Sequence, residues 1–497
     1  MIPVLLGVFF AADDQTVVVT ILPQIMLDLR VEITELDRAA WTITGYLLGY
    51  VAIMPIMGRL SDVFERRTVY VASMVIFMIG SAGTGLTGSG QWLIQDDLTN
   101  PLLNLFLDTS STMEWVIATR ILQAVGAGAL VPISIAMVGD LFPSQKRGVP
   151  LGLTGAAAEA GAVIGPLWGG IITHFLAWQW IFWLNLPISI VVLILLSKTF
   201  PQIKRSTKSV DYLGAFLIVA GLSFLTLGCS QAGNPNVTMY TYLITGFFSI
   251  IGYWFWATRV SDPLIPVALF QNLGFLASNM VHLLYGAVLI ITLVTVPLMA
   301  NTILQSSPLD GGLILARLTV AIPVGAVCGG ILCRKLDLRI PSMFALLLCA
   351  AALFLMATWD EKVTDPTMTI HLVTGGLGFG LLIAPVTLTA LNSAAETMKG
   401  AAAGVISTSR FLGMTLGVAT LAAWGTERFQ NLLSGITLPI PTKDETALQI
   451  TDKTSRFQAE LTDAGLSLFG DFYTAAAIIC LIAILPCLRM RPIQPSS

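Results

Sequence analysis

The stretch from Ile2 to Leu29 constrains this chain more than any other. It is an apolar run long enough to cross a bilayer, which takes roughly 20 residues. Two adjacent carboxylates, Asp13 and Asp14, interrupt it about halfway. A charge at that depth costs about 2.5–3.5 kcal/mol or more unless it faces a polar cavity, pairs or takes a proton. An acid so placed is a functional candidate. On a helix, Asp13, Thr16, Thr20 and Gln24 follow steps of three, four and four residues, so they share one polar stripe. The expectation is that this stripe lines a substrate path through a helix bundle.

The rest of the chain has the composition to build that bundle. Charged residues make up 11% of its 497 residues, about half the roughly 25% of soluble domains. That decides for an all-α polytopic membrane protein. The net charge of −3 decides nothing, because placement of charge matters more than its sum. The six cysteines lie in or beside apolar segments without a CxxC pair, so they read as packing residues and not as a disulfide framework or a zinc site. No basic residue precedes the first apolar run, so a cleaved leader is not expected.

Apolar runs of spanning length fall near 2–27, 39–58, 68–88, 115–138, 149–172, 180–198, 213–230, 239–258, 274–299, 312–333, 341–358, 368–391, 401–424 and 471–488. Fourteen spans put both termini on one side. With that side cytoplasmic, sixteen of the 26 Lys and Arg fall in inner loops and the tail, seven in outer loops and three (Arg120, Arg317, Arg410) inside helices. This bias obeys the positive-inside rule and places the protein in the cell (inner) membrane with cytoplasmic ends. Two outer segments stand apart: 90–114, acidic and without a basic residue, and 425–470, in which NLLSGI and SRFQAELTDAGLSLF read as short surface helices or as solvated linker.

Gly148, Gly152, Gly161 and Gly165 recur 252 residues later as Gly400, Gly404, Gly413 and Gly417, each set behind a basic residue, Arg147 or Lys399. Two related halves follow, 1–200 and 261–497, joined by two extra helices within 201–260. Related halves with a site between them are a transporter architecture.

The loop after the second span reads Gly58-Arg59-Leu60-Ser61-Asp62-Val63-Phe64-Glu65-Arg66-Arg67. It resembles the G-x-L-[SA]-D-R-x-G-R-[RK] signature of the major facilitator superfamily, with Val63 and Glu65 departing from it. Asp14, Thr16, Leu22 and Pro23 are similar to the first-helix pattern of the fourteen-span drug:proton antiporter branch, with Val19 where Asn is usual. Arg120, Gln123, Gly126 and Gly128 resemble its fourth-helix motif, with Ala124 in place of a glycine. Gly161, Gly165, Pro166, Gly169 and Gly170 resemble its fifth-helix antiporter motif. Trp178, Trp180, Asn185 and Pro187 fit the next boundary, and Asp262 to Phe270 the ninth-helix entry.

The resemblance implies two six-helix bundles plus two extra helices. It also implies a cytoplasmic latch at Gly58, Asp62, Arg66 and Arg67, and proton exchange involving Arg120. Physical chemistry adds that Gly161, Gly165 and Gly169 form a ridge that lets a partner helix approach, and that Pro166 kinks its helix into a hinge or seal. Arg120 shares a helix face with Gln123 and needs a carboxylate; Asp13 or Asp14 is the economical partner. The family pattern selects Asp14 as the titrating acid, whereas the polar stripe selects Asp13. Glu159, near mid-membrane, is a second proton-coupling candidate. Arg317 and Arg410 are expected to meet these acids across the cavity, to hold an anionic part of the substrate or, for Arg317 above all, to bind carbonyls of broken helices.

No G-x-x-x-x-G-K-[ST] loop is present, so the chain is not expected to be an enzyme, and its energy should come from a proton gradient without a cofactor. The expected partners are a small-molecule substrate, protons and the bilayer. No nucleic acid or metal is expected, and a monomer suffices. The reading is a secondary transporter that exports amphipathic small molecules or drugs by alternating access. A carrier of one anionic metabolite and a non-transporting sensor or scaffold are the rivals.

Overall fold

The computed structural model describes residues 1–31, 36–88, 112–199, 210–233, 235–436, 439 and 447–490. Fourteen long helices carry the fold: α1 (Ile2–Asp28), α2 (Leu36–Val63), α3 (Arg66–Gly85), α4 (Met113–Leu141), α5 (Gly148–Phe175), α6 (Gln179–Thr199), α7 (Tyr212–Ser230), α8 (Val237–Ala257), α9 (Leu273–Thr302), α10 (Pro308–Leu332), α11 (Arg339–Met356), α12 (Thr367–Asn392), α13 (Lys399–Leu433) and α14 (Ala447–Cys487). Among the described residues, a helix stands at each of the fourteen expected spans. Thirteen are long and apolar enough to cross a membrane by hydropathy. The remaining one, α8, has 21 residues and no charge; its Tyr240, Tyr242, Tyr253, Trp254 and Trp256 lower its mean hydropathy without making it unfit for lipid.

Helices α1–α6 enclose two apolar cores, and α9–α14 a third and larger one. A fourth joins Ile135, Val138 and Leu151 of the first half to Leu338, Ala384, Leu388 and Ala403 of the second. Helices α7 and α8 pair with each other, and α7 rests on α2 and α13. Asp211 fixes this pair to the second half, capping α7 through Gly214 N at 2.8 Å while accepting from Trp256 Nε1 and Leu264 N.

The repeat is expressed in packing. α5 lies on α1 through Gly161, Gly165 and Gly169, where a methyl group would fall 2.1–2.8 Å from Phe9 O, Thr16 Oγ1 or a Val17 methyl. α13 lies on α9 through Gly413 and Gly417 in the same way. The second copy has Val418 where the first has Pro166.

That proline explains part of the polar stripe. Pro166 has no N–H, so the Ala162 carbonyl one turn earlier loses its helical donor. Thr16 Oγ1 of α1 donates to Ala162 O at 2.9 Å, and Thr20 Oγ1 donates to Pro166 O at 3.3 Å. In lipid, a freed backbone group must be satisfied by a neighbouring side chain. Thr16 and Thr20 of the stripe fasten α1 to α5, and Gln24 is exposed, with no hydrogen bond among the described residues.

The outer segment 425–470 is also revised. SRFQAELTDAGLSLF is not a separate surface helix but the continuation of α14, and NLL closes α13. With 35 and 41 residues, these two helices are about 52 and 61 Å long, against the roughly 30 Å of hydrocarbon they cross. Of 90–114, only its last three residues are described; Glu114 pairs there with Arg38.

Thr16→Val leaves the Ala162 carbonyl unmet and should lower stability by about 1–3 kcal/mol, whereas Thr16→Ser should restore it. Thermal unfolding of the detergent-purified protein, read by far-UV circular dichroism, checks this.

Candidate functional site

Three groups of polar residues join at the middle and at one end of the bundle. The first surrounds Asp14, which is 1% exposed. Arg120 Nη1 donates to its carboxylate at 2.5 Å and Nη2 to its carbonyl at 3.0 Å. Gln123 Nε2 and Asn185 Nδ2 donate to the same carboxylate at 2.8 and 3.0 Å. Asn185 is held in turn by Ser81, whose hydroxyl donates to Phe182 O. Of the two acids, Asp14 is thus the partner of Arg120. Three side chains from α4 and α6 satisfy it, as a buried charge requires. Asp13 is also buried, but its carboxylate has no hydrogen-bond partner among the described residues.

The second group bridges the halves. Arg410 of α13 pairs with Glu159 of α5, both about eleven residues, or ~17 Å, inward from their helix starts. In the repeat they stand one residue away from equivalent positions, so the pair sits near the pseudo-symmetry axis. Aromatic rings link the two groups. Arg120 lies 4.1 Å over Tyr46, Tyr46 stacks on Tyr50, Tyr50 meets Phe411 edge-on at 5.1 Å, and Arg410 lies 5.9 Å from Phe411.

The third group closes one end, the end rich in Arg and Lys. Gly58 meets the Gly400 backbone so closely that a methyl would fall 2.3 Å from its carbonyl. Asp62 then caps α13, accepting from Gly400 N at 2.7 Å and Ala401 N at 2.8 Å. Arg66 braces Asp62 at 3.1 Å and Asp140 at 2.6 Å. Arg67 makes no hydrogen bond or ion pair among the described residues. On the repeat-related side Gly148 abuts Gly330, without an acid like Asp62. The two basic residues behind the repeated glycines instead reach across: Lys399 donates to Gly139 O at 3.0 Å, and Arg147 to Asn392 at 3.1 Å. All the polar bridges between the halves, among the described residues, lie between this end and mid-depth.

Arg317 belongs to none of these groups, and its partners are side chains instead of the carbonyls of a broken helix. It lies near the opposite end, half-exposed, and donates to Asp365 at 2.5 Å and Thr369 at 2.8 Å. Hydrogen bonding from Thr369, with the Arg317 guanidinium, holds Asp365 below the usual carboxylate range. In the sequence, Asn185 stood out only as a motif position, and Tyr46 and Lys399 did not stand out as site residues. Their signal was present: each is a polar group inside or opening a long apolar run.

Residues 4–418 match the family model for the major facilitator superfamily. The chain belongs to the major facilitator superfamily. It is a multi-pass secondary transporter and not an enzyme. A triacylglyceride transporter of Mycolicibacterium hassiacum is 30% identical, covering 96% of this chain and 88% of that protein. One from Mycobacterium tuberculosis is 31% identical, covering 96% and 91%. Among solved structures, the human organic anion transporter MFSD10 superposes with a TM-score of 0.60 at 15% identity over 96% of this chain and 98% of that one. The proton:xylose symporter XylE gives 0.60 at 14% identity over 96% and 93%. At such identities these two speak for the fold alone. The matches do not single out the drug:proton antiporter branch.

Asp62→Ala removes two hydrogen bonds to the start of α13 and should weaken closure by about 1–3 kcal/mol, a shift of roughly 5- to 150-fold in the open-to-closed ratio. Spin-label distances between the basic ends of α2 and α13 would report it as a longer-distance population.

Proposed function

We propose that this transporter couples inward proton movement to outward movement of a neutral, lipid-like amphipath. The observation that carries the proposal is the Glu159–Arg410 pair. Among the described residues, it is the ion pair at mid-depth that joins one half to the other. A proton on Glu159 removes the charge that holds Arg410, so protonation and separation of the halves become one event. The driving force is sufficient: one charge moved through the membrane potential is worth roughly 2.3 kcal/mol per 100 mV. Asp13 is the second proton acceptor in this reading. Asp14 already has a cation and two amide donors, whereas Asp13, its neighbour, is buried without a partner. The inhibiting bridges at the basic end, taken as cytoplasmic by the positive-inside rule, fit a conformation closed to the inside.

Two features support a lipid-like substrate over a small drug. The relatives that match over nearly their whole length are named triacylglyceride transporters. A cavity of about 680 Å³ opens between the far ends of α9, α13 and α14. Its lining includes Leu298, Phe429, Leu461, Phe469 and Phe472, with only neutral polar groups such as Thr302 and Gln458 among them. An anionic metabolite is disfavoured, since both arginines expected to hold it are occupied by acids.

The test is transfer of labelled triacylglycerol, beside a panel of cationic dyes, from proteoliposomes under an imposed pH step. Glu159→Gln and Asp13→Asn should each reduce pH-driven transfer at least about tenfold while the protein still folds. Asp14→Asn should instead cost about 3–5 kcal/mol of stability, because Arg120 is left as an uncompensated buried charge. Undiminished transfer by Glu159→Gln overturns the coupling; transfer of dyes but not lipid overturns the substrate class.

A further inference from the structure

Beside the inter-half pair lies a small void that the coupling scheme does not use. It measures about 40 Å³; apolar side chains such as Ile135, Leu151 and Ile383 make most of its wall, and His282 of α9, Ser407 and Arg410 of α13, Thr154 of α5 and Thr387 of α12 give it polar groups. Three buried polar atoms on these residues have no hydrogen-bond partner among the described residues: His282 Nε2, Ser407 Oγ and Arg410 Nε. Native interiors rarely leave such atoms unmet, and a cluster around one void has a common explanation.

Donor accounting identifies the occupant. His282 Nδ1 is 2.9 Å from Ile406 O. A carbonyl only accepts, so Nδ1 carries the proton and Nε2 presents a lone pair. Arg410 Nε only donates, and a serine hydroxyl does either. A water molecule accepts from Arg410, donates to His282 and exchanges a hydrogen bond with Ser407. The void has room for a water, and its three unmet polar atoms supply the two to four partners that a water needs.

We infer that this void holds one ordered water bound by His282, Ser407 and Arg410, and that His282 is a positioning residue that fixes Arg410 against Glu159. His282 grips α13 at Ile406, one turn before Arg410. Its ring stacks on Tyr285 at 5.6 Å, and the Arg410 guanidinium lies 5.4 Å from that same ring. α9 also backs directly onto the arginine, since a methyl on Gly286 would fall 2.0 Å from Arg410 O. Backbone, ring face and Nε are all held, which leaves the Nη2 end for Glu159. The charged and titratable groups facing this cluster are Glu159 from α5, Arg410 from α13, Tyr50 from α2, Cys349 from α11 and Tyr285 on α9 itself. α12 contributes the neutral Thr387. The inference rests on Glu159 gaining and losing a proton, as proposed above.

The test is an infrared titration of the purified full chain, with Glu159→Gln identifying the carboxyl band. His282→Phe keeps the ring stack and loses both nitrogens. A loosened arginine stabilises the carboxylate less, so the band's pH midpoint should rise by about one unit, a tenfold tighter proton. His282→Gln, which can still donate to Ile406 O or accept from the water, should stay near wild type. Ser407→Ala should move the midpoint in the direction of His282→Phe by a smaller amount, and it serves if His282→Phe fails to fold. An unmoved midpoint in His282→Phe and Ser407→Ala, or an equal shift in His282→Gln, overturns the positioning role. If the wild-type band does not titrate, the function assigned to Glu159 falls and the positioning role falls with it. Radiolytic hydroxyl labelling then decides the water by itself. Oxidation at His282 that Ser407→Val suppresses by filling the void upholds it, and absence of labelling overturns it.

Discussion

A charge can remain inside a lipid-surrounded wall only if another group compensates it, and the arrangement of this protein's centre follows from that requirement. Arg120 cannot give up its proton. It draws Asp14 from α1 and, through Asp14, Gln123 and Asn185 from α4 and α6. Arg410 makes the same demand, but its acid stands on the other half of the molecule. One compensated charge therefore consolidates a bundle, and the other ties the two bundles to each other. The difference lies in where the partner is anchored and not in the chemistry of the pair.

The two-fold relation seen in the glycines extends to how the halves meet. Gly58 with Gly400 and Gly148 with Gly330 bring backbones together at equivalent places. Lys399 and Arg147, related by the same offset, each cross to the end of a helix in the opposite half. The symmetry is broken where Asp62 caps α13 and no acid caps α5. Closure at this end is thus held more firmly on one side of the pseudo-axis than on the other.

Much of this was legible in the sequence, for physical reasons. Spanning helices require uninterrupted apolar length, so all fourteen could be counted, α8 included. Arg120 could be matched to the Asp13–Asp14 pair because a buried arginine needs an acid and few were available, but spacing alone did not choose between the two. Elsewhere the sequence carried less. Helical spacing gave the face shared by Asp13, Thr16 and Thr20, but not that α5 would cover it and use its hydroxyls. Arg317 was recognisably within a helix, yet its partner, Asp365, stands 48 residues away in a loop whose position only folding fixes. The extensions of α13 and α14 were missed because hydropathy marks where a helix leaves lipid and not where it ends.

The threonine clips on the Pro166 turn have a mechanical consequence. A proline-broken turn would ordinarily be a flexible joint, free to bend by itself. Here its released carbonyl is fastened to α1, and the glycine ridge leaves no slack between the two helices. The proline turn therefore cannot bend without carrying α1 along, and α1 carries both acids. Any rocking of this half must move the two helices as a single stiff plank, tilting the acids and the proline turn together.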